Sequence, residues 1–313
     1  QLSAANPWVF TDEGYLGGIE ELRTYILLGN DVDVVNLSIA GRPSPDHPVS
    51  VALDSLARQE DLLIVTNAGN GGDSSRSSNG FYHGLAVGGV HARVVGTNQN
   101  LAFVPIPQSS RGPLDQNPGR YYPDVCATGG GKGQFTGGVL GFQYPTFNNW
   151  FVSGCMLAPG IDIADPAAQT GGNRVSPVRP NIGTSAASAQ VAGAALLYRG
   201  YVTSASAEET RAAILLNTVG TYSRQDGASS EPGDQHSYTG RNTFGLGYVR
   251  DDVLAQFATR DSAIQPLVTT VTLTTATPVV TTSYTGLLPG ERYAVVCCWR
   301  RWHDPVNDLV VPE

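Results

Sequence analysis

Charge is scarce in this chain. Only 15% of its 313 residues are Asp, Glu, Lys or Arg, against roughly 25% in ordinary soluble domains. What charge there is sums to −8, which argues against nucleic acid or an anionic membrane surface as partner, since both require a cationic face. Lysine occurs once, at Lys132, and methionine once, at Met156. With Gln1 at its start, the chain reads as processed or truncated at that end. No apolar run approaches the ~18 residues of a membrane span. Four cysteines say little about redox compartment. Cys126 and Cys155 could bridge one loop, whereas the adjacent Cys297 and Cys298, read as part of a strand, point to opposite faces and do not pair with each other.

What fills the gap is Gly, Ser and Thr around a 41% apolar content, ample for a sizeable core. Residues 18–28, GIEELRTYILL, place Ile19, Leu22 and Ile26 on one helical face before Gly29. DVDVVNLSIAG (31–41) is a short β-branched run and so a buried strand. PVSVALDSLARQ (48–59) repeats at helical spacing with Pro48 at its start, LLIVTNAG (62–69) is the next strand, and FYHGLAVGGV (81–90) another. Strands alternating with helices imply an α/β fold, a parallel sheet with helices on both faces. A Gly- and Pro-rich stretch from about 105 to 180 shows no helical period. Order returns in a helix opened by Ser185 and in SAEETRAAILLN (206–217), where Ser206 and Glu209 fit a capping box.

Composition changes near residue 259. TTVTLTTATPVVTTSYTG has β period and ERYAVVCCWRRW reads as a strand, so residues 259–313 are expected to open a second, β-rich domain after a first domain at 1–258. The alternative for the Thr-rich part is a solvated, glycosylated linker.

Ser185 lies in NIGTSAASAQVAGAALLY (181–198). A serine hydroxyl is a poor nucleophile until a base takes its proton and donors hold the resulting oxyanion. A helix N-terminus supplies free N–H groups and a favourable dipole, and Gly183, Ala186, Ala187, Ala189, Ala192 and Gly193 allow close approach. On these grounds alone a helix N-cap is the better account of Ser185. Other chemistries fit worse. LLIVTNAGNGGDSS has Ser74 where the dinucleotide fingerprint needs Gly, GGGKGQ has Gly133 where a phosphate loop needs Ser or Thr, and no G-x-S-x-G occurs.

GTSAASAQVAGAALL resembles the active-serine signature of the subtilisin-like serine proteases. DVDVVNLSIAG resembles that family's substrate-binding strand, LLIVTNAGNGG the strand ending in its oxyanion-hole asparagine, and HGLAVGGV the next strand. SSRGPLDQNPGRYYPDVCATGG and NTFGLGYVRDDVLAQ resemble two further segments, all in the family's order from about 18 to 257. The resemblance implies Ser185 as nucleophile, Asn70 as side-chain donor of the oxyanion hole beside the Ser185 N–H, and Ser38, Ile39, Ala40 and Gly41 as the edge that pairs with substrate backbone. It implies a peptide or protein substrate, no cofactor or metal in catalysis, and compatibility with structural calcium, for which no ligands can be named. A secreted or cell-surface location fits the composition. Oligomeric state is not legible.

The same resemblance orders a triad Asp, His, Ser, and that order places the Asp and His upstream of 31–41. No histidine precedes His47, and Asp12 reads as a loop or helix-capping carboxylate. His83 imitates the family's histidine motif but follows Asn70 and belongs to a strand. His47, His91, His236 and His303 read as surface residues. The expectation is therefore a catalytic domain lacking its Asp and His segments, a fragment of a longer reading frame, nearly inactive alone. The alternatives are half of a two-chain enzyme or an inactive subtilase-like module. Ala189 and Gln190 depart from the motif's usual Pro and its neighbour, and residues 131–180 read as a surface excursion. LAPGIDIA (157–164) within them resembles another family segment. YAVVCCWRRWHDPVNDLVVPE resembles the start of a β-sandwich appended to some members.

Overall fold

The computed structural model describes residues 11–39, 41, 44–72, 80–95, 100–106, 109–112, 122–129, 156–159, 178–181, 183–219, 245–250, 254–255, 295–298, 303–304 and 309–310. The chain begins with helix α1 (Asp12–Leu27), strand β1 (Val34–Leu37), helix α2 (Pro48–Gln59) and strand β2 (Leu63–Asn67). Strands β3 (Gly84–Val95), β4 (Asn100–Pro105), β5 (Val125–Thr128), β6 (Met156–Pro159) and β7 (Val178–Asn181) follow. Helices α3 (Thr184–Tyr201) and α4 (Ala207–Leu216) precede β8 (Thr218–Val219), β9 (Tyr248–Val249), β10 (His303–Asp304) and β11 (Leu309–Val310).

One sheet carries the fold, in the order β1-β2-β3-β5-β9-β8, with β4 paired antiparallel to the far half of β3. The ladders from β1 through β9 are parallel and only β8 runs against its neighbour. Side chains alternate across β2. Leu63 and Val65 face α3 and α4, whereas Leu62 and Ile64 pack with α1 and α2. Helices thus cover both faces, as the alternating pattern requires. Burial of each such Leu, Ile or Val contributes ~1.5–3 kcal/mol.

The helices start where their caps lie. Thr11 accepts from the Gly14 N–H and acidic Asp12 and Glu13 occupy the first turn, so α1 begins six residues before the apolar period that first reveals it at 18. Asp12 is a first-turn residue there, and its carboxylate lies 3.3 Å from His47 Nε2. His47 is not a mere surface histidine: its Nδ1 accepts from the Val49 N–H, making it the N-cap of α2 ahead of Pro48. Ser206 accepts from the Glu209 N–H, the half of the expected capping box that opens α4.

Three strand expectations need correction. β3 begins at Gly84 and not at 81, because the Tyr82 and His83 N–H groups donate to the Asp54 carboxylate on α2 (2.7–3.0 Å) and leave no ladder partner. The stretch from 105 to 180 is not irregular throughout. Four-residue strands too short to show a period, β5, β6 and β7, form by pairing with distant residues. Residues 295–298 form no strand. There burial pushes the thiol of half-buried Cys298 upward, against the opposing pull of Arg211 on α4, while Cys297 stays exposed. Cys126 is a free, fully buried thiol held well above its ordinary range by desolvation; Cys155 and the Thr-rich stretch lie outside the described residues.

Asp54 is the pin between α2 and the entry to β3. Asp54→Ala strands two backbone donors in a largely buried place, and unsatisfied buried groups cost ~1–3 kcal/mol each. Chemical denaturation is expected to show a loss of about 2–4 kcal/mol, whereas an unchanged midpoint would contradict this role.

Candidate functional site

Parallel sheets gather their functional groups at the carboxyl ends of the strands, and three segments meet there. β1 runs out into Ser38. β2 runs out through Ala68 and Gly69 into Asn70. Between them stands the N-terminus of α3. Gly183 precedes that helix with φ +95°, a left-handed conformation suited to glycine, and its N–H donates to the Gly129 carbonyl at the end of β5. Ser185 is therefore the second helical residue and not the N-cap, which is Gly183 with no side-chain cap at all.

Asn70 closes the gap. Its Oδ1 accepts from both the Thr184 N–H and the Thr184 hydroxyl, each at 3.0 Å. A backbone N–H needs an acceptor, so the amide oxygen is the atom bonded to Thr184, and the NH₂ group is left with its donors unused there. Among the described residues neither that NH₂ nor the Ser185 N–H has a partner, the second being one of the orphan donors every helix start leaves. The loop holding Asn70 is itself held. The Ser110 N–H donates to the Gly69 carbonyl at 2.9 Å, and the Ser110 hydroxyl accepts from the Gly71 N–H at 3.1 Å. Ser109 Oγ accepts from the Gly89 N–H. Both serines are buried, which gives the SSRGP segment a physical task.

Ser185 is half-buried, and its hydroxyl donates to the Ser38 carbonyl at 3.3 Å. The Ser38 hydroxyl donates back to the Ser185 carbonyl at 3.1 Å and lies 3.1 Å from Ser188 Oγ. Asn36 donates to Ser38 Oγ at 2.8 Å. This network registers the end of β1 against the first turn of α3. Ile39 packs into the cluster beneath α1 and α2. Gly41 is described and half-buried, while Ala40 lies outside the described residues. Gln190, one of the two departures from the motif, accepts from the Thr128 N–H at 3.1 Å and so ties α3 to β5.

No histidine stands beside Ser185 among the described contacts. His83 is at the amino end of β3, away from Asn70, with Nδ1 3.2 Å from Asp54. His47 caps α2, and His236 lies outside the described residues. Sequence reasoning missed Thr184 and Ser110 as supports of Asn70. The only available signal was their place inside matched motifs.

A family model described as the subtilase family matches residues 9–245. The chain belongs to the subtilase family. Among solved structures, the subtilase chain is similar to a protease from Pseudoalteromonas arctica PAMC 21717, at 20% identity over 73% of this chain and 52% of that one, TM-score 0.44. It is also similar to the protease domain of PatA in a serine-to-alanine mutant form, at 16% identity over 78% of this chain and 65% of that one, TM-score 0.45. The patellamide maturation protease PatA aligns at 14% identity over 78% and 68%, with TM-score 0.45. The chain thus spans 52% and 65% of the first two of these structures. No curated protein matches it.

A prediction follows for Gly183. An added Cβ would lie 3.2 Å from Asn70 Oδ1 on a residue with φ +95°. Gly183→Ala is expected to destabilise by about 1–3 kcal/mol and to shift Asn70, read as a lowered denaturation midpoint. A variant as stable as the parent would contradict the geometry.

Proposed function

We propose that this subtilase acts as a serine endopeptidase, cleaving peptide bonds through an acyl-enzyme on Ser185. The observation that carries the reading is the double anchoring of Asn70 Oδ1 by Thr184. It fixes the amide by its oxygen at the first turn of α3, and on this reading its NH₂ and the orphan Ser185 N–H serve as the two donors of one oxyanion hole. In the proposed step Ser185 Oγ attacks the scissile carbonyl, a base takes its proton, and the carbonyl oxygen becomes an oxyanion held by the two donors. Collapse expels the amine, which receives that proton, and water then releases the acid half. An uncharged amide suits the task because it brings no charge to desolvate. The Ser38–Gly41 edge accepts substrate backbone as a neighbouring strand.

No three His, Cys, Asp or Glu side chains gather as an ion site among the described residues, and no step of the proposed mechanism runs through calcium. No described helix is long and apolar enough to cross a membrane. The composition supports a secreted or cell-surface location.

An inactive subtilase-like module is the second reading, and one contact favours it: the Ser185 hydroxyl donates to the Ser38 carbonyl and not to a base. An acyl-enzyme trap decides between them. The full-length natural protein is mixed with an activated peptide ester, quenched in acid and mapped by mass spectrometry. The endopeptidase reading expects the acyl group on Ser185; an unmodified Ser185 supports the inactive module.

A further inference from the structure

Asn70 is followed directly by Gly71. In an asparagine–glycine pair the glycine nitrogen can close a five-membered ring onto the asparagine Cγ, because glycine has no Cβ to obstruct the approach. Asparagine is thermolabile in part for this reason. The structure acts on both of the reacting atoms, and in opposite senses.

On the carbon side, Asn70 Oδ1 accepts from the Thr184 N–H and from the Thr184 hydroxyl, each at 3.0 Å. Two donors on one carbonyl oxygen draw electron density from Cγ and stabilise the negative charge that gathers on Oδ1 as a nucleophile adds. One of the two is a first-turn N–H of α3, where the helix dipole reinforces the effect. Asn70 and Gly71 are both exposed, so water and hydroxide reach them. The carbon is primed.

On the nitrogen side, the Gly71 N–H donates to the Ser110 hydroxyl at 3.1 Å, while the Ser110 N–H donates to the Gly69 carbonyl at 2.9 Å. Buried Ser110 thus grips the chain on both sides of Asn70. Its neighbour Ser109 accepts from the Gly89 N–H of β3 at 3.1 Å, which ties the grip to the sheet. A nitrogen whose proton is committed to Ser110 Oγ neither releases it to solvent nor swings toward Cγ. Ring closure needs that bond broken first.

We propose that Asn70–Gly71 is a deamidation site, primed at its carbon by Thr184 and held latent at its nitrogen by Ser110. When the Ser110 bond opens, hydroxide takes the Gly71 N–H proton and the nitrogen attacks Cγ. The Cγ–Nδ2 bond breaks, Nδ2 takes a proton from water and leaves as ammonia, and a succinimide remains. Water then opens the ring at either carbonyl and leaves aspartate or isoaspartate at position 70. The step needs no oxidant and no cofactor. The Thr184 donors hold a carboxylate more strongly than an amide oxygen, so the product stays seated at the helix start, with negative charge in place of the NH₂. That this change also ends catalysis rests on the endopeptidase reading; the covalent chemistry does not.

The test ages the full-length natural protein and its Ser110→Ala variant in mildly alkaline buffer. Position 70 is read by peptide mass spectrometry, with fragmentation that separates aspartate from isoaspartate. The same dipeptide at Asn79–Gly80 is the reference in guanidinium, where both sites are unfolded and should convert alike. In the native parent Asn70 should convert at least about fivefold more slowly than in guanidinium, and in folded Ser110→Ala at least about fivefold faster than in the native parent. A melting curve establishes that the variant is folded. Should it not fold, the parent alone decides: below its unfolding transition, conversion should rise with guanidinium in step with hydrogen exchange of the Gly71 N–H. The proposal is overturned by a native parent that converts as fast as the unfolded chain, or by a folded Ser110→Ala that converts no faster than the parent. Conversion that ignores Gly71 exchange overturns it, as does a product of aspartate alone, which would make water and not Gly71 the nucleophile. Peptide cleavage by the same samples keeps the two readings apart. Activity lost in step with conversion supports both, whereas conversion that leaves cleavage unchanged sinks the oxyanion role of Asn70 and keeps the deamidation site.

Discussion

Replacing Ser185 with alanine is expected to lower the kcat of the proposed endopeptidase about 10⁶-fold, a figure that is subtilisin's own. The proposed mechanism offers no detour, because it forms the acyl intermediate on this oxygen, and Ser38 and Ser188 have their hydroxyls engaged in the network that registers β1 against α3. Stability should hardly move. The lost contact is one 3.3 Å hydrogen bond to the Ser38 carbonyl, and such a bond contributes only ~0.5–1.5 kcal/mol net. A large kinetic effect beside a small thermodynamic one separates a nucleophile from a structural serine. Steady-state cleavage of a peptide substrate, with thermal denaturation of the same samples, checks both. Residual turnover close to that of the parent would mean that another group carries the acyl chain.

Asn70→Ala should reduce kcat by about 10²–10³, the cost established for the equivalent amide of subtilisin, with little change in KM. In the proposed step the amide meets the oxygen only after attack has made it an anion, so its loss would fall on the transition state. Asn70 is exposed, and its removal leaves the sheet and the Ser110 hold on the loop untouched. Thr184→Val offers a graded companion. It keeps the 3.0 Å backbone contact to Oδ1 and deletes the hydroxyl one. One neutral hydrogen bond of ~1 kcal/mol corresponds to roughly a five- to tenfold loss. If Asn70→Ala instead raised KM alone, the amide would be a ground-state substrate contact and not part of an oxyanion hole.

Local chemistry was legible in the sequence wherever it was self-contained. The apolar periods of α2 and α4, the β-branched runs of β1 and β2 and the small-residue opening of α3 each announced themselves within a dozen positions. Asn70, Ser185 and Ser38 were legible through motif resemblance, and the structure gathers them at one end of the sheet. What stayed hidden depends on residues far apart in the chain. β5 is four residues whose strand character comes from pairing with β3 and β9. His47 gains Asp12 as a neighbour only because α1 and α2 pack together. Thr184 looked like a conventional motif residue, and its hold on Asn70 spans 114 positions. The exposed side of α3 was invisible for the opposite reason. A run of Ala, Gly and Leu reads as buried all round, and only coordinates show Leu196 and Leu197 exposed.

The central claim concerns one small volume between Asn70 and the first turn of α3. It is tested most directly by a crystal structure of the protein with a peptide boronate, whose tetrahedral boron mimics the charged intermediate. The account predicts boron bonded to Ser185 Oγ, with one boronate oxygen about 2.7–3.1 Å from both Asn70 Nδ2 and the Ser185 backbone nitrogen. A boronate attached elsewhere, or an adduct whose oxygens all point away from Asn70, would contradict it.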